Sequence, residues 1–228
     1  MGLFDLFRRK PAHGADAKKD ITVISQEEQE IIRQLESLEY FKYAPEADHH
    51  QLKTEIASSL AERKYFPFVI AERPPFAKKD PRHFILDNEA LYETGGFTAA
   101  LKEMQSLFDK MNIRMEITDH VEEWDAGNKW LDHRITINGK KYIIFNRQKD
   151  QAWLEAAQRF ADMVNDQLAL QQSEERFYLL NDGHDGRGIF LTEPLLDLLD
   201  GLIEGEHEKP LKMEEWCAHN HIERAKIF

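Results

Sequence analysis

The stretch that most constrains the fold runs over residues 131–145. Leu131, His133, Ile135 and Ile137 alternate with Asp132, Arg134 and Thr136, and Asn138-Gly139 follows at once. Successive side chains of a strand leave the pleat on opposite sides, so this period of two describes a strand with one buried and one solvated face. Asn-Gly tolerates positive φ at both central positions of a two-residue hairpin, which returns residues 140–145 antiparallel to the first strand. Ile113, Met115 and Ile117 alternate in the same way with Arg114, Glu116 and Thr118. The three segments together predict three adjacent antiparallel strands.

Around that centre the period lengthens to that of a helix. Gly95-Gly96 precede Phe97, Ala100, Leu101, Met104, Leu107 and Phe108, whose spacing puts one apolar stripe against a core. Trp153, Ala156, Ala157, Phe160, Val164 and Leu168 predict a long helix from about 150 to 170, suited to lie across a sheet. Ser25 stands three before Glu28, a capping box opening a helix with Ile31, Ile32, Leu35 and Leu38. Asp48 then opens a second helix with Leu52, Ile56 and Leu60, and the short connection predicts an antiparallel pair. Residues 65–71 and 83–86 read as strands, and 177–180 and 188–191 as a second hairpin around the loop 181–187. Thr192 caps the last clear helix, with Pro194 in its first turn, where a missing N–H does no harm, and Gly201 or Gly205 at its end.

The fold class that follows is α+β: a mainly antiparallel sheet of about five to seven strands covered by helices on one face, with an N-terminal helical pair. The chain divides into a flexible tail (1–21), a helical subdomain docked on the body (22–64), the body itself (65–208) and a C-terminal segment (209–228).

Composition then narrows the class of protein. The 228 residues are 42% hydrophobic, with 14 Phe, 6 Tyr and 4 Trp, too much apolar mass for a disordered chain. A single Cys excludes an internal disulfide framework and a four-cysteine zinc site. No apolar run approaches the roughly 18 residues of a membrane span. Leu3, Phe4, Leu6 and Phe7 precede Arg8, Arg9 and Lys10, the reverse of a secretory signal, so a cytoplasmic location is expected. Residues 1–10 offer at most weak contact with a membrane surface.

The formal net charge is −12, and residues 1–20 hold five bases against three acids, so the remainder carries −14. A field of that sign repels phosphate backbones, which argues against nucleic acid as the main partner. It suits a basic protein partner, because opposite fields speed encounter and fix orientation. The strongest run of acids is Glu193, Asp197, Asp200, Glu204, Glu206 and Glu208, which reads either as a solvated helix face or as an interaction face.

Three further groups carry chemistry worth weighing. Asp182, His184, Asp185 and Arg187, among glycines, read as a hairpin turn or as a binding loop; the spacing breaks the calcium-loop pattern at its third and fifth positions. Cys217, His219 and His221 supply ligand types, but no second ligand pair accompanies them and Trp216 reads as packed inward. His133 stands on the apolar face of its strand, as a core histidine or as a tuned base that Asp119, His120 and Asp132 would join if the register allowed. Phosphate-loop, dinucleotide, nucleophile-elbow and zinc-protease motifs are absent. The function expected from these features is a non-catalytic acidic module of the inhibitor or immunity type. It would bind a basic partner through Asp182, His184, Asp185, Arg187, Asp197, Asp200 and Glu204, with no cofactor. The alternative is a metal-dependent hydrolase built on the Asp182–Asp185 loop.

Overall fold

The computed structural model describes residues 25–64, 80–150, 152–180, 186–205 and 209–227. The tail 1–21, the strand expected at 65–71, and Asp182, His184 and Asp185 therefore lie outside the described residues.

The chain enters through the capping box. Glu28 N–H donates to Ser25 Oγ at 3.1 Å, and Ser25 N–H donates back to the Glu28 carboxylate at 2.6 Å. Helix α1 (Gln26–Ser37) leads through two 3₁₀ turns to α2 (His49–Arg63). Ion pairs join Glu36 to Lys53 at 2.6 Å and Glu27 to Lys64 at 2.7 Å, which fixes the expected antiparallel arrangement.

Strand β1 (His83–Ile85) precedes the short helix α3 (Asn88–Tyr92) and α4 (Gly96–Lys110). Strands β2 (Ile117–Asp125), β3 (Trp130–Ile137) and β4 (Lys140–Gln148) form one antiparallel sheet in chain order. Ile137 pairs with Lys140 across Asn138 and Gly139, both at positive φ (50° and 80°), as the Asn-Gly signal requires. Helix α5 (Trp153–Leu170) crosses to a second sheet, whose order is β1-β6-β5-β7, with β5 (Arg176–Leu180), β6 (Arg187–Leu191) and β7 (Pro210–Leu211). Helices α6 (Glu193–Leu202) and α7 (Met213–His219) complete the chain. Trp216 is buried and donates its indole N–H to Leu180 O at 3.0 Å.

The α+β class is as the sequence predicts, with three differences in detail. The strands make two sheets, of four and three strands, rather than one. The four-stranded sheet is covered on both faces. Phe177, Leu179 and Phe190 enter a core with α4, α5 and the three-stranded sheet, while Tyr178, Leu180, Ile189 and Leu191 enter a second core with α1, α2 and α6. A doubly buried strand shows a continuous apolar run instead of alternation, and β5 and β6 have that run.

The third difference concerns residues 113–116, which are extended but not part of the sheet. Side chains take several of their backbone groups: Arg114 N–H donates to Gln171 Oε1, Glu116 N–H to Asn138 Oδ1, and Arg114 O accepts from Asn138 Nδ2, while Glu116 O accepts from Asn138 N–H. The strand that does pair with β3 starts at Ile117, in a polar sequence without alternation. Its pairing places Glu122 directly opposite His133, and that register creates the site.

Candidate metal centre

On β2, His120 and Glu122 are two residues apart and so share a face. On β3, His133 lies opposite Glu122 on that same face, which is the core side carrying Leu131, Ile135 and Ile137. Three metal-ligating side chains thus converge where the sheet edge meets the start of α4. His120 Nε2 is 3.1 Å from His133 Nε2 and 3.2 Å from Glu122 Oε1, and His133 Nε2 is 3.3 Å from the same oxygen. Among the described residues this is the one group of three or more His, Cys, Asp and Glu side chains whose donor atoms come this close together.

The groups around the triad hold its shape. Gly95 adopts φ 82°, a left-handed conformation natural to glycine. It thereby directs its N–H at the second Glu122 oxygen, Oε2, at 2.6 Å. Gly95 is the N-cap of α4, so Glu122 sits at the N-terminus of that helix. Gly96 passes so close to the backbone of Ala90 and Leu91 that a Cβ there would collide with it, which locks the turn from α3 into α4. Phe97, the first apolar residue of α4, meets the His133 ring edge-on at 4.7 Å, and Phe145 lies 6.3 Å away on the other strand.

Exposure falls across the three ligands, from 22% for the His120 side chain to 8% for Glu122 and 2% for His133. Burial, reinforced by the neighbouring His120, pushes the His133 pKa down to about 3. His133 is therefore a neutral imidazole at ordinary pH, the form that ligates a metal.

The separations have the size that coordination demands. With ligand bonds of about 2.0–2.1 Å, the edge of a tetrahedron is about 3.3–3.4 Å and a cis edge of an octahedron about 2.8–3.0 Å. The observed 3.1–3.3 Å lies between these. His120 Nε2, Glu122 Oε1 and His133 Nε2 could thus all reach one ion at ordinary bond lengths.

Family models, curated proteins and solved structures contain no match to this chain. The chemistry of the site therefore rests on its own geometry.

Of the residues singled out from sequence, His133 and His120 are brought together. Asp119 and Asp132 are not: they belong to the opposite face, and Asp132 accepts from Arg147 N–H at 2.8 Å. Cys217, His219 and His221 form no such ligand group among the described residues. Arg187 opens β6 opposite Ile85, about 13 Å of strand from Leu191, which stands two residues before α6. Asp197 and Asp200 are exposed along α6 with Glu193, and Glu204 is exposed two residues past its end; two of these four acids meet bases: Asp200 pairs with Lys209 at 2.8 Å and Glu193 with Lys212 at 3.5 Å. Glu122 is the ligand that sequence reasoning missed. The signal that finds it is His-x-Glu on one strand face combined with a histidine at a core position of the next strand.

Proposed function

We propose that this protein binds one divalent transition-metal ion through His120 Nε2, Glu122 Oε1 and His133 Nε2, and uses the open coordination positions to activate water or a substrate oxygen. The observation that carries this reading is the triangle of three ligand atoms with sides of 3.1, 3.2 and 3.3 Å. Two imidazoles and a carboxylate suit zinc or iron(II); calcium and magnesium prefer shells built from oxygen. Three protein ligands are also one fewer than a closed structural zinc site uses, and leave a position for chemistry. An ion there would lower the pKa of a bound water toward neutrality and polarise a bound carbonyl. Glu122, held by Gly95 N–H, would orient as a ligand supported from behind, in the manner that outer partners fix metal-binding carboxylates.

The test is equilibrium binding of zinc to metal-stripped protein. One ion per chain is expected, with affinity lost in His120→Ala and in His133→Ala. Wild-type binding unchanged in both variants contradicts the reading.

The acidic stripe of α6 supports a second proposal, docking of a basic protein at Asp197, Asp200 and Glu204. Three of its acids fall at successive turns on the exposed side of one helix, although Lys209 and Lys212 reduce its field. Such docking weakens with salt and on charge reversal at Asp197 and Asp200. Binding indifferent to both removes it.

A further inference from the structure

The face that carries His120 and Glu122 continues one step along β2 to Trp124, which pairs with Leu131. Trp124 is 56% exposed, an unusual situation for an indole in a paired strand. Its cross-strand neighbour Leu131 belongs to the core, yet Trp124 does not. Among the described residues its ring has no hydrogen-bond or aromatic partner. Side chains two apart on a strand are spaced by about 6.6–6.8 Å. Trp124 therefore stands roughly 7 Å along the strand from the Glu122 position, on the same face of the sheet.

We infer that Trp124 is the recognition surface of the metal centre, stacking against a ring of the ligand whose oxygen takes an open coordination position. This rests on the metal reading above. A two-residue step along the strand, about 7 Å, suits a ring joined directly to an oxygen-bearing group. The charge of that ligand follows from its surroundings. Glu123 and Asp125 flank Trp124 in the strand, and Glu93 lies in the turn that delivers Gly95. Among the described residues no lysine or arginine pairs with any of the three metal ligands. Among the described residues, then, no side-chain cation at the site favours a phosphate ester or polyanion over a neutral ligand. The class that fits is a neutral or cationic ring compound with a carbonyl or hydroxyl donor. Aromatic stacking is the interaction that recognises it, since an indole presents its negative face to rings and cations alike.

Two hydroxamic acids separate ring recognition from metal binding, because benzohydroxamic and acetohydroxamic acid chelate through the same group and differ by a phenyl ring. Binding is followed through the visible bands of the cobalt-loaded protein. Wild type is expected to prefer the benzo compound by about three- to tenfold, the size of one aromatic contact. Trp124→Ala abolishes that preference while keeping acetohydroxamate affinity within about twofold, and Trp124→Phe restores most of it. Equal binding of the two compounds by wild type, a preference that survives in Trp124→Ala, or binding of neither compound overturns the inference while leaving metal binding intact. Absence of cobalt bands in wild type is a different result: it overturns the metal reading and this inference with it.

Discussion

Two buried polar clusters in this molecule differ in how their charges are answered. In the first, Arg82 is fully buried, with its guanidinium donating to Glu175 at 2.8 Å, Phe190 O at 2.9 Å, Glu39 O at 3.3 Å and, through Nε, Tyr40 O at 2.7 Å. Beside it, buried Asp80 accepts from the Tyr40 hydroxyl at 2.5 Å and from Arg82 N–H at 3.0 Å. The Arg82 donors all meet acceptors, Lys42 Nζ stands 3.3 Å from the other Glu175 oxygen, and the network ties the end of α1 to β6. In the second cluster, at His120, Glu122 and His133, three groups that can all serve as electron-pair donors face one another. Two imidazole nitrogens and a carboxylate oxygen lie within 3.3 Å of one another, and all three offer a lone pair when each imidazole carries its proton on Nδ1. A matched cluster is a structural lock. A cluster of converging lone pairs is the arrangement a cation completes.

The comparison predicts effects of very different size. Arg82→Ala removes the fully buried partner of Glu175 and leaves it only Lys42 at 3.3 Å, and breaking a buried pair costs about 3–5 kcal/mol. At about 2–4 °C per kcal/mol for a chain of this size, urea and thermal unfolding should show a loss of roughly 10 °C or more. A loss under about 1 kcal/mol would mean that the lock is not one. Metal comes next. Zinc at one hundred times its dissociation constant should raise unfolding free energy by about 2.7 kcal/mol, and by nothing in the His120→Ala, His133→Ala double variant.

Smaller still is His133→Phe in the metal-free protein. Because His133 is neutral and surrounded by Phe97 and Phe145, an apolar ring should change stability by less than about 1 kcal/mol in either direction. A cost near that of Arg82→Ala would show that the second cluster is also a lock. Smallest is the effect at Cys217, outside both clusters. Burial and the nearby Asp162 push its thiol up to about 11 from 9.0. The folded protein should resist iodoacetamide at pH 8 and react on unfolding, since the thiolate is the nucleophile. With the folded pKa raised, this group's contribution to stability is complete below pH 9 and declines as pH rises toward 11.

How much of this could be read from the chain depended on local signals. The Asn138-Gly139 hairpin, the Ser25 capping box, the α4 and α5 stripes and the inward-facing Trp216 each follow from residues a few positions apart. The division into two sheets does not, because β5 and β6 are apolar on both faces and a continuous apolar run carries no directional information. Residues 113–116 show the opposite error: their alternation is real and Ile113 and Met115 are buried, but side chains of Asn138 and Gln171 intercept the backbone groups that a strand would have used. At the site, His133 stood out as a histidine in an apolar series, whereas Glu122 sits in Val121-Glu122-Glu123-Trp124 with no pattern around it. Only the pairing of β2 with β3 makes it a ligand. Register depends on contacts distant in sequence, so the site emerged with the fold.

The most direct measurement is X-ray absorption at the zinc edge of the loaded protein. Two imidazole nitrogens with one or two further oxygen scatterers at about 2.0–2.1 Å are expected, and one imidazole lost in His133→Ala. A sulfur scatterer at about 2.3 Å, which would place the ion on Cys217, or a shell of oxygens alone, would contradict the account.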